Sequence, residues 1–178
     1  MPGRTPRDAF GVFRDALQSI ISCIAHAKIT VSPHGQYLPR AVHSLSVNNN
    51  KPIPLAPDVL LRIRMQYSII EDKEREDGPW RVTTKAYDYE LQDSEGETIV
   101  AWHWHPETRS YPHTHTGRTQ LARDALLSRK HHVPSGRVSL ESVIRFCIEE
   151  FGAKALRDDW RDVLDSTETP FRLYRSWG

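Results

Sequence analysis

The sequence predicts an α+β fold in which an antiparallel β-sheet of about four to five strands packs against N-terminal and C-terminal helices. Between residues 59 and 105, apolar and polar residues alternate, which is typical of strands with one buried face. Near both ends of the chain, apolar residues recur every three or four positions, which indicates amphipathic helices. The 178 residues are enough for one domain, which we expect over residues 8–178 after a disordered basic tail at residues 1–7.

The N-terminal part predicts one helix and two short strands. The helix should run from Asp8, as its N-cap, to about Ala27. Its apolar face consists of Phe10, Phe13, Leu17, Ile20, Ile21 and Ile24. Short strands are expected within Lys28–Val31 and Arg40–Val47. The proline-rich continuation to residue 57 predicts a surface crossing, because proline cannot donate a hydrogen bond in the centre of a sheet.

The central part predicts three longer strands. They are Val59–Ile70, Trp80–Leu91 and Thr98–His105. The charged stretch Glu71–Gly78 should form a solvated turn between the first two, and Asp93–Glu97 should form a hairpin loop, where Gly96 can adopt a positive φ.

The C-terminal part predicts two helices. Residues 118–129 fit either a short helix or an irregular crossing. A clear helix should follow Ser139 as its N-cap and end before Gly152, a residue suited to the left-handed C′ position. A second helix is expected over residues 155–165, with Pro170 as the stop signal beyond it.

Composition limits the classes of function. The formal net charge of +1 gives the molecule no strong overall field, so attraction to nucleic acid would need a local basic patch. Cys23 and Cys147 each lie in an apolar run, which favours buried free thiols. The longest apolar run near the N-terminus, residues 20–27, is too short and polar for a membrane span, and no signal peptide is recognisable. We therefore expect a cytoplasmic protein without a membrane partner.

Four histidines in thirteen residues form the most unusual feature. His103 and His105 make one His-x-His pair, and His113 and His115 make another. In a strand, residues i and i+2 share a face, so each pair should present two imidazoles side by side. Trp102 and Trp104 would then face the other side, where packing is their expected role.

A basic segment follows these histidines. Its cations between residues 118 and 137 are Arg118, Arg123, Arg129, Lys130 and Arg137, against a single acid, Asp124. His131 and His132 lie in the same segment. Such a patch can hold phosphate groups of RNA, and Tyr111 could stack on a base if it is exposed.

Three interpretations of the histidines remain open. Cleavage of RNA at the 2′-hydroxyl needs a base, an acid and cations on the phosphate, which paired histidines and nearby arginines can supply without a metal or other cofactor. Imidazoles also bind transition metals, although Glu107 is the only nearby carboxylate and its spacing does not fit the cupin pattern. Finally, histidines on an exposed sheet face can be ordinary surface residues.

The order of these motifs resembles the TumE-type proteins of prokaryotic toxin–antitoxin systems over roughly residues 80–151. The motifs that carry the resemblance are Trp102-His103-Trp104-His105, Pro112-His113-Thr114-His115-Thr116-Gly117 and the run from His132 to Glu141. The second motif is the most specific. The resemblance to the family motif is most direct for His113, His115 and Gly117, and less direct for His103 and His105.

The resemblance implies a growth-inhibiting toxin that acts on RNA and is neutralised by a separately encoded antitoxin. On this hypothesis His113 and His115 are the acid and base, and His103 or His105 orients or substitutes for one of them. Arg118, Arg137 and His132 would bind substrate. The alternatives are a module that binds nucleic acid or a partner without catalysis, and a metal-binding enzyme. The chain is longer than the compact toxins at both ends.

Overall fold

The computed structural model describes residues 2–32, 37–73, 78–123, 125–128 and 130–173. Within these residues, three helices and nine strands, all paired antiparallel, confirm the α+β class, with more strands than predicted. The helices are α1 (Pro6–Ser22), α2 (Leu140–Phe151) and α3 (Trp160–Leu173). The strands are β1 (Pro2–Gly3), β2 (Ile29–Val31), β3 (Val42–Val47), β4 (Ile53–Ala56), β5 (Val59–Glu71), β6 (Trp80–Gln92), β7 (Thr98–Trp104), β8 (His113–Thr116) and β9 (Val133–Pro134).

The sheet is ordered β2-β3-β5-β6-β7-β8-β9, with β1 paired to β6 and β4 paired to β5. The three predicted central strands are present as β5, β6 and β7. The middle of the expected charged turn, residues 74–77, lies outside the described residues. The long β5–β6 pair forms the centre of the sheet, and β7 and β8 extend it on the side that carries the histidines.

Of the predicted disordered tail, residues 2–7 are structured, and residue 1 lies outside the described residues. Pro2 and Gly3 pair with Arg81 and Trp80 of β6. Helix α1 begins at Pro6, and its N-cap is Thr5 rather than Asp8. Asp8 instead accepts from the Thr5 backbone N–H at 3.1 Å, while the Thr5 hydroxyl accepts from the Asp8 N–H at 3.1 Å. This reciprocal capping box fixes the start of the helix three residues earlier than predicted.

The proline-rich segment also contains a strand that the sequence did not predict. Ile53–Ala56 pairs with the start of β5, and Ile53 is buried. Within the described chain this strand pairs with β5 alone. Pro54 is tolerated there because a strand with one partner does not need a backbone N–H for a second neighbour. The expectation of a surface crossing was therefore wrong for these four residues.

The C-terminal helices agree with the sequence in part. Ser139 caps α2, since its hydroxyl accepts from the Ser142 N–H at 3.0 Å, and Gly152 has a φ of 66° at the other end. Helix α3 starts later than predicted and continues through Pro170, which does not stop it. The buried Glu168 accepts from the hydroxyls of Ser139 and Ser142, and these bonds hold α3 against the start of α2.

The helices cover one face of the sheet and leave the other face polar. The largest fully buried side chains of this core include Phe10, Ile20, Ile63, Tyr67, Tyr89, Ile144 and Leu164. On β5 the odd-numbered residues face this core, whereas Arg64 and Gln66 are exposed on the opposite side. Both cysteines are free and buried, as predicted. Among the described helices, none combines the length and apolarity of a membrane span.

Truncation of Leu164 should test how much α3 contributes to this core. The side chain is 0% exposed, so Leu164→Ala should lower the free energy of unfolding by about 2–5 kcal/mol through lost burial and a residual cavity. Urea titration measures the loss. Leu126→Ala is the matched control, because Leu126 is 97% exposed and its truncation should change the stability little. Equal effects of the two substitutions would contradict the described packing of α3.

Candidate functional site

A straight row of polar residues crosses the open face of the sheet. The register places one residue of each of six strands directly opposite the next, in the order Thr30, Ser46, Arg64, Asp88, His103 and His113. His115 lies beside the end of this cross-sheet row, opposite Ala101. Because directly opposed side chains on one face are neighbours, the pairing of β6, β7 and β8 brings histidines from separate motifs together.

The histidines form a compact cluster. The ring centroid of His103 lies 5.7 Å from that of His113 and 5.0 Å from that of His115. The centroids of His113 and His115 are 5.0 Å apart. One ring nitrogen of each of these three residues lies within 4.8 Å of the others. The structure thus supplies the convergence that the sequence alone did not establish.

His132 and His105 complete the histidine cluster on two sides. The His132 ring makes edge contacts with His113 at 4.7 Å and with His115 at 4.4 Å. His105, just beyond the end of β7, lies 5.8 Å from His103. Burial and the nearby positive charge of His103 lower the pKa of His105, and the neighbouring Arg64 acts in the same direction against the opposing Asp88 charge.

Asp88 is the anion of the site. Arg64 donates to its Oδ2, and Nε2 of His103 lies 3.2 Å from its Oδ1. Oδ1 is buried and forms no hydrogen bond within the described residues, so its ionic contact with the His103 ring is what compensates its charge. Burial alone would raise the pKa of Asp88, but the contact with His103 and the charges of His103 and Arg64 outweigh it and lower the pKa. Asp88 is therefore ionised near neutral pH.

These outer contacts determine where the ring protons lie. An ionised carboxylate can only accept hydrogen bonds, so the contact with Asp88 favours a proton on Nε2 of His103. Nδ1 of the ring does not contact Asp88 and is available to another partner. The Tyr111 carbonyl, 3.2 Å from Nδ1 of His113, likewise places the proton there and leaves the Nε2 lone pair. Burial lowers the pKa of His113, the hydrogen bond to the Tyr111 carbonyl opposes this effect, and electrostatic interactions with His132, His103 and Arg109 lower the pKa further.

The residues of the cluster differ in access. His113 is only 4% exposed, since it lies beneath its neighbours. His115 and the His103 side chain are half-buried and open to the polar face. Tyr111 is exposed at the rim, where its hydroxyl accepts from Arg109 at 3.0 Å. A substrate would therefore meet His103, His115 and the Tyr111 rim before it met His113.

An open pocket of about 560 Å³ adjoins the histidine cluster on the side of Arg64. Polar side chains that line it include Ser44, Ser46, Arg64, Gln66, Asp88 and His105. Its volume is in the range of small-molecule sites. The shared residues Asp88 and His105 place the pocket directly beside the histidines.

Two predicted substrate-binding residues are not part of the histidine cluster. Arg118 is exposed in a 3-10 turn, Arg118–Gln120, that follows β8. Arg137 lies on the helix-covered face, where its guanidinium stacks on Trp104 at 3.8 Å and donates to the Thr84 carbonyl at 3.4 Å. Trp102 packs on the same face, edge-on against Phe146 at 5.5 Å, so the expectation that the tryptophans pack in the core is confirmed. Within the predicted basic segment, residues 124 and 129 lie outside the described residues.

Sequence reasoning did not find Asp88, Arg64 or Arg109. Asp88 and Arg64 lie 15 and 39 positions before His103, and only the register of three strands makes them neighbours. The position of Arg109 in the sequence could have indicated its role, because it lies in the loop between the two His-x-His pairs. Its charge acts on His113, so it supplies a cation that the sequence analysis had sought further along the chain.

Comparisons of the chain with protein-family models, with curated proteins and with solved structures give no significant match. The resemblance to TumE-type proteins therefore stays a prediction from the motifs. The class of site that the described geometry defines is a carboxylate-supported histidine cluster on the open face of an antiparallel sheet.

Proposed function

We propose that this chain is a toxin-type ribonuclease that cleaves RNA by transferring protons between histidines and substrate, without a metal ion. The observation that carries the proposal is the contact of ionised Asp88 with His103 inside a cluster of further imidazoles. A fixed imidazole beside a second one is the arrangement that general acid–base catalysis needs. The resemblance of the motifs adds the substrate class and a neutralising antitoxin, with the cytoplasm as the place of action.

Access suggests which histidines touch the substrate. His115 is the proposed base that takes the proton from the 2′-hydroxyl, so that O2′ attacks phosphorus. His103, positioned by Asp88, is the proposed acid: in its doubly protonated form it gives the Nδ1 proton to O5′ as the P–O5′ bond breaks. The products are a 2′,3′-cyclic phosphate and a free 5′-hydroxyl. The buried His113 becomes a positioning residue, since the substrate cannot reach it without moving its neighbours.

Neighbouring groups can hold the substrate. Arg109 lies close enough to affect the pKa of His113, so its guanidinium can also stabilise the phosphate as charge develops on it. The exposed Tyr111 ring offers a stacking surface for one base, and the pocket beside His105 has room for a nucleotide on the other side of the scissile bond. RNA would thus lie across the open face of β6, β7 and β8.

The direct test incubates protein purified without a histidine tag with an RNA oligonucleotide in the presence of EDTA. Fragments ending in 2′,3′-cyclic phosphate and 5′-hydroxyl are expected. A matched oligonucleotide with a single 2′-deoxy substitution at the cleaved position should stay intact at that position, because it lacks the attacking oxygen. Absence of cleavage, or equal cleavage of both oligonucleotides, would contradict the mechanism.

The exposed Tyr111 and the half-buried Arg109 beside it also favour a second candidate, a module that binds nucleic acid without cleaving it. In that case RNA should shift in mobility but remain uncut over hours, and binding should weaken as salt rises. Tyr111→Ala should weaken RNA binding under either candidate function, so only the product analysis separates the two.

A further inference from the structure

The same three histidines have the donor set of a metal centre. One ring nitrogen each from His103, His113 and His115 lies within 4.8 Å of the other two. Bonds from imidazole nitrogen to zinc are about 2.0–2.1 Å long, so nitrogens around one ion lie roughly 3.4 Å apart. To bind one ion, the three nitrogens would have to move about 1 Å closer together. Rotation of the side chains can supply this movement without a change of strand register.

The outer contacts of the rings support ligation. Ligating histidines commonly donate their second ring N–H to a carboxylate or carbonyl, which fixes the ring and makes the free nitrogen more basic. The Tyr111 carbonyl provides this contact for His113, and Asp88 Oδ1 faces Nε2 of His103 as an ion-pair partner at 3.2 Å. In both rings the nitrogen that remains carries the lone pair that a metal needs.

The donor types select the class of ion. Three imidazoles favour zinc and the other late first-row metals, whereas Mg²⁺ and Ca²⁺ prefer oxygen ligands. His132 borders His113 and His115 with ring centroids at 4.7 and 4.4 Å, which makes it the nearest source of a fourth ligand among the described residues.

We propose that His103, His113 and His115 form a binding site for a divalent late transition-metal ion such as Zn²⁺, and that the bound ion switches the proposed ribonuclease off. The inhibitory part rests on the proposed function, because a coordinated imidazole has no lone pair left with which to accept a proton. Metal occupancy would then control the same residues that transfer protons in its absence.

Binding is tested first, without RNA. Tag-free protein stripped with EDTA should take up one Zn²⁺ per chain in competition with a chromogenic chelator, and Co²⁺ should give the visible absorption of nitrogen coordination. His115→Ala should weaken Zn²⁺ binding at least about tenfold through the loss of one ligand. His131→Ala is the control, since this exposed ring is bonded locally to the Ser128 N–H at 2.8 Å and should leave binding unchanged.

A second variant covers a failure of His115→Ala to fold. Asp88→Asn keeps all three ligands and should weaken Zn²⁺ binding by roughly ten- to hundredfold through loss of the charged contact to His103. Stoichiometric uptake that both variants weaken supports the site, whereas absence of uptake by the wild-type protein overturns it.

Cleavage is measured separately with one equivalent of Zn²⁺ and again after EDTA. Inhibition by Zn²⁺ that EDTA reverses supports the switch, and cleavage stimulated by Zn²⁺ overturns it together with the metal-independent mechanism. If RNA stays uncut under every condition while Zn²⁺ binds, the proposed ribonuclease activity and its inhibition by Zn²⁺ are both contradicted. The proposed metal site is supported in that case.

Discussion

Replacing His115 by alanine should reduce the rate of RNA cleavage by roughly a hundredfold to ten-thousandfold, the range typical for a general acid or base. The ring is open to the polar face and lies 5.0 Å from His103, closer to it than the rings of His113 at 5.7 Å and His105 at 5.8 Å. The measurement is single-turnover cleavage of a labelled RNA oligonucleotide at saturating protein. Circular dichroism and urea titration of the variant check that the fold is intact.

His131→Ala serves as the matched control for this result. His131 lies in the basic segment beside His132, but its ring bonds locally to Ser128 and it is exposed. The control variant should cleave RNA at the rate of the wild-type protein. If His115→Ala cleaves equally fast while folded, His115 is not the base and the assignment fails.

Gly117→Ala should destabilise the protein by roughly 2–4 kcal/mol, within the upper range for single substitutions. An added Cβ would lie 1.5 Å from the Thr98 carbonyl oxygen and 2.5 Å from its carbon, so the backbones of β7 and β8 would have to separate. The φ of Gly117 is −63°, which any residue adopts, so the close approach alone excludes a side chain here. The Gly117 N–H also donates to the Ile99 carbonyl at 2.9 Å, a bond that the displacement would strain.

Chemical denaturation measures this loss, with Gly11→Ala as the comparison. Gly11 lies inside α1 and has no atom within 4 Å of an added Cβ. Its replacement should therefore raise the free energy of unfolding by roughly 0.5–1 kcal/mol, because alanine favours the helix. Unchanged stability of Gly117→Ala would contradict the described approach of Gly117 to Thr98.

Since β7 and β8 carry His103, His113 and His115, the same displacement should also weaken the histidine cluster. This gives a physical reason for glycine as the last residue of the motif Pro112-His113-Thr114-His115-Thr116-Gly117. The glycine lets the chain leave β8 directly against the start of β7, in the register that pairs His103 with His113.

Local patterns in the sequence determined the long strands and the first C-terminal helix. The alternation of residues 59–70 predicted β5 because one face is buried along its whole length. Ser139 and Gly152 marked the two ends of α2 because caps act on adjacent backbone groups. The predictions for Asp8 and Ile53–Ala56 were wrong because a reciprocal cap and an edge pairing overrode the local preference. The prediction for Pro170 was wrong because α3 continues to Leu173.

The sequence by itself also identified the His-x-His pairs and the faces of Trp102 and Trp104, because a strand alternates its side chains with a period of two. Only the tertiary structure decided which residues surround those histidines. Asp88 and Arg64 join the site through the register of β5, β6 and β7, and Arg137 is carried to the opposite face by its packing on Trp104. Register depends on long-range pairing and turn geometry, which no short stretch of sequence contains.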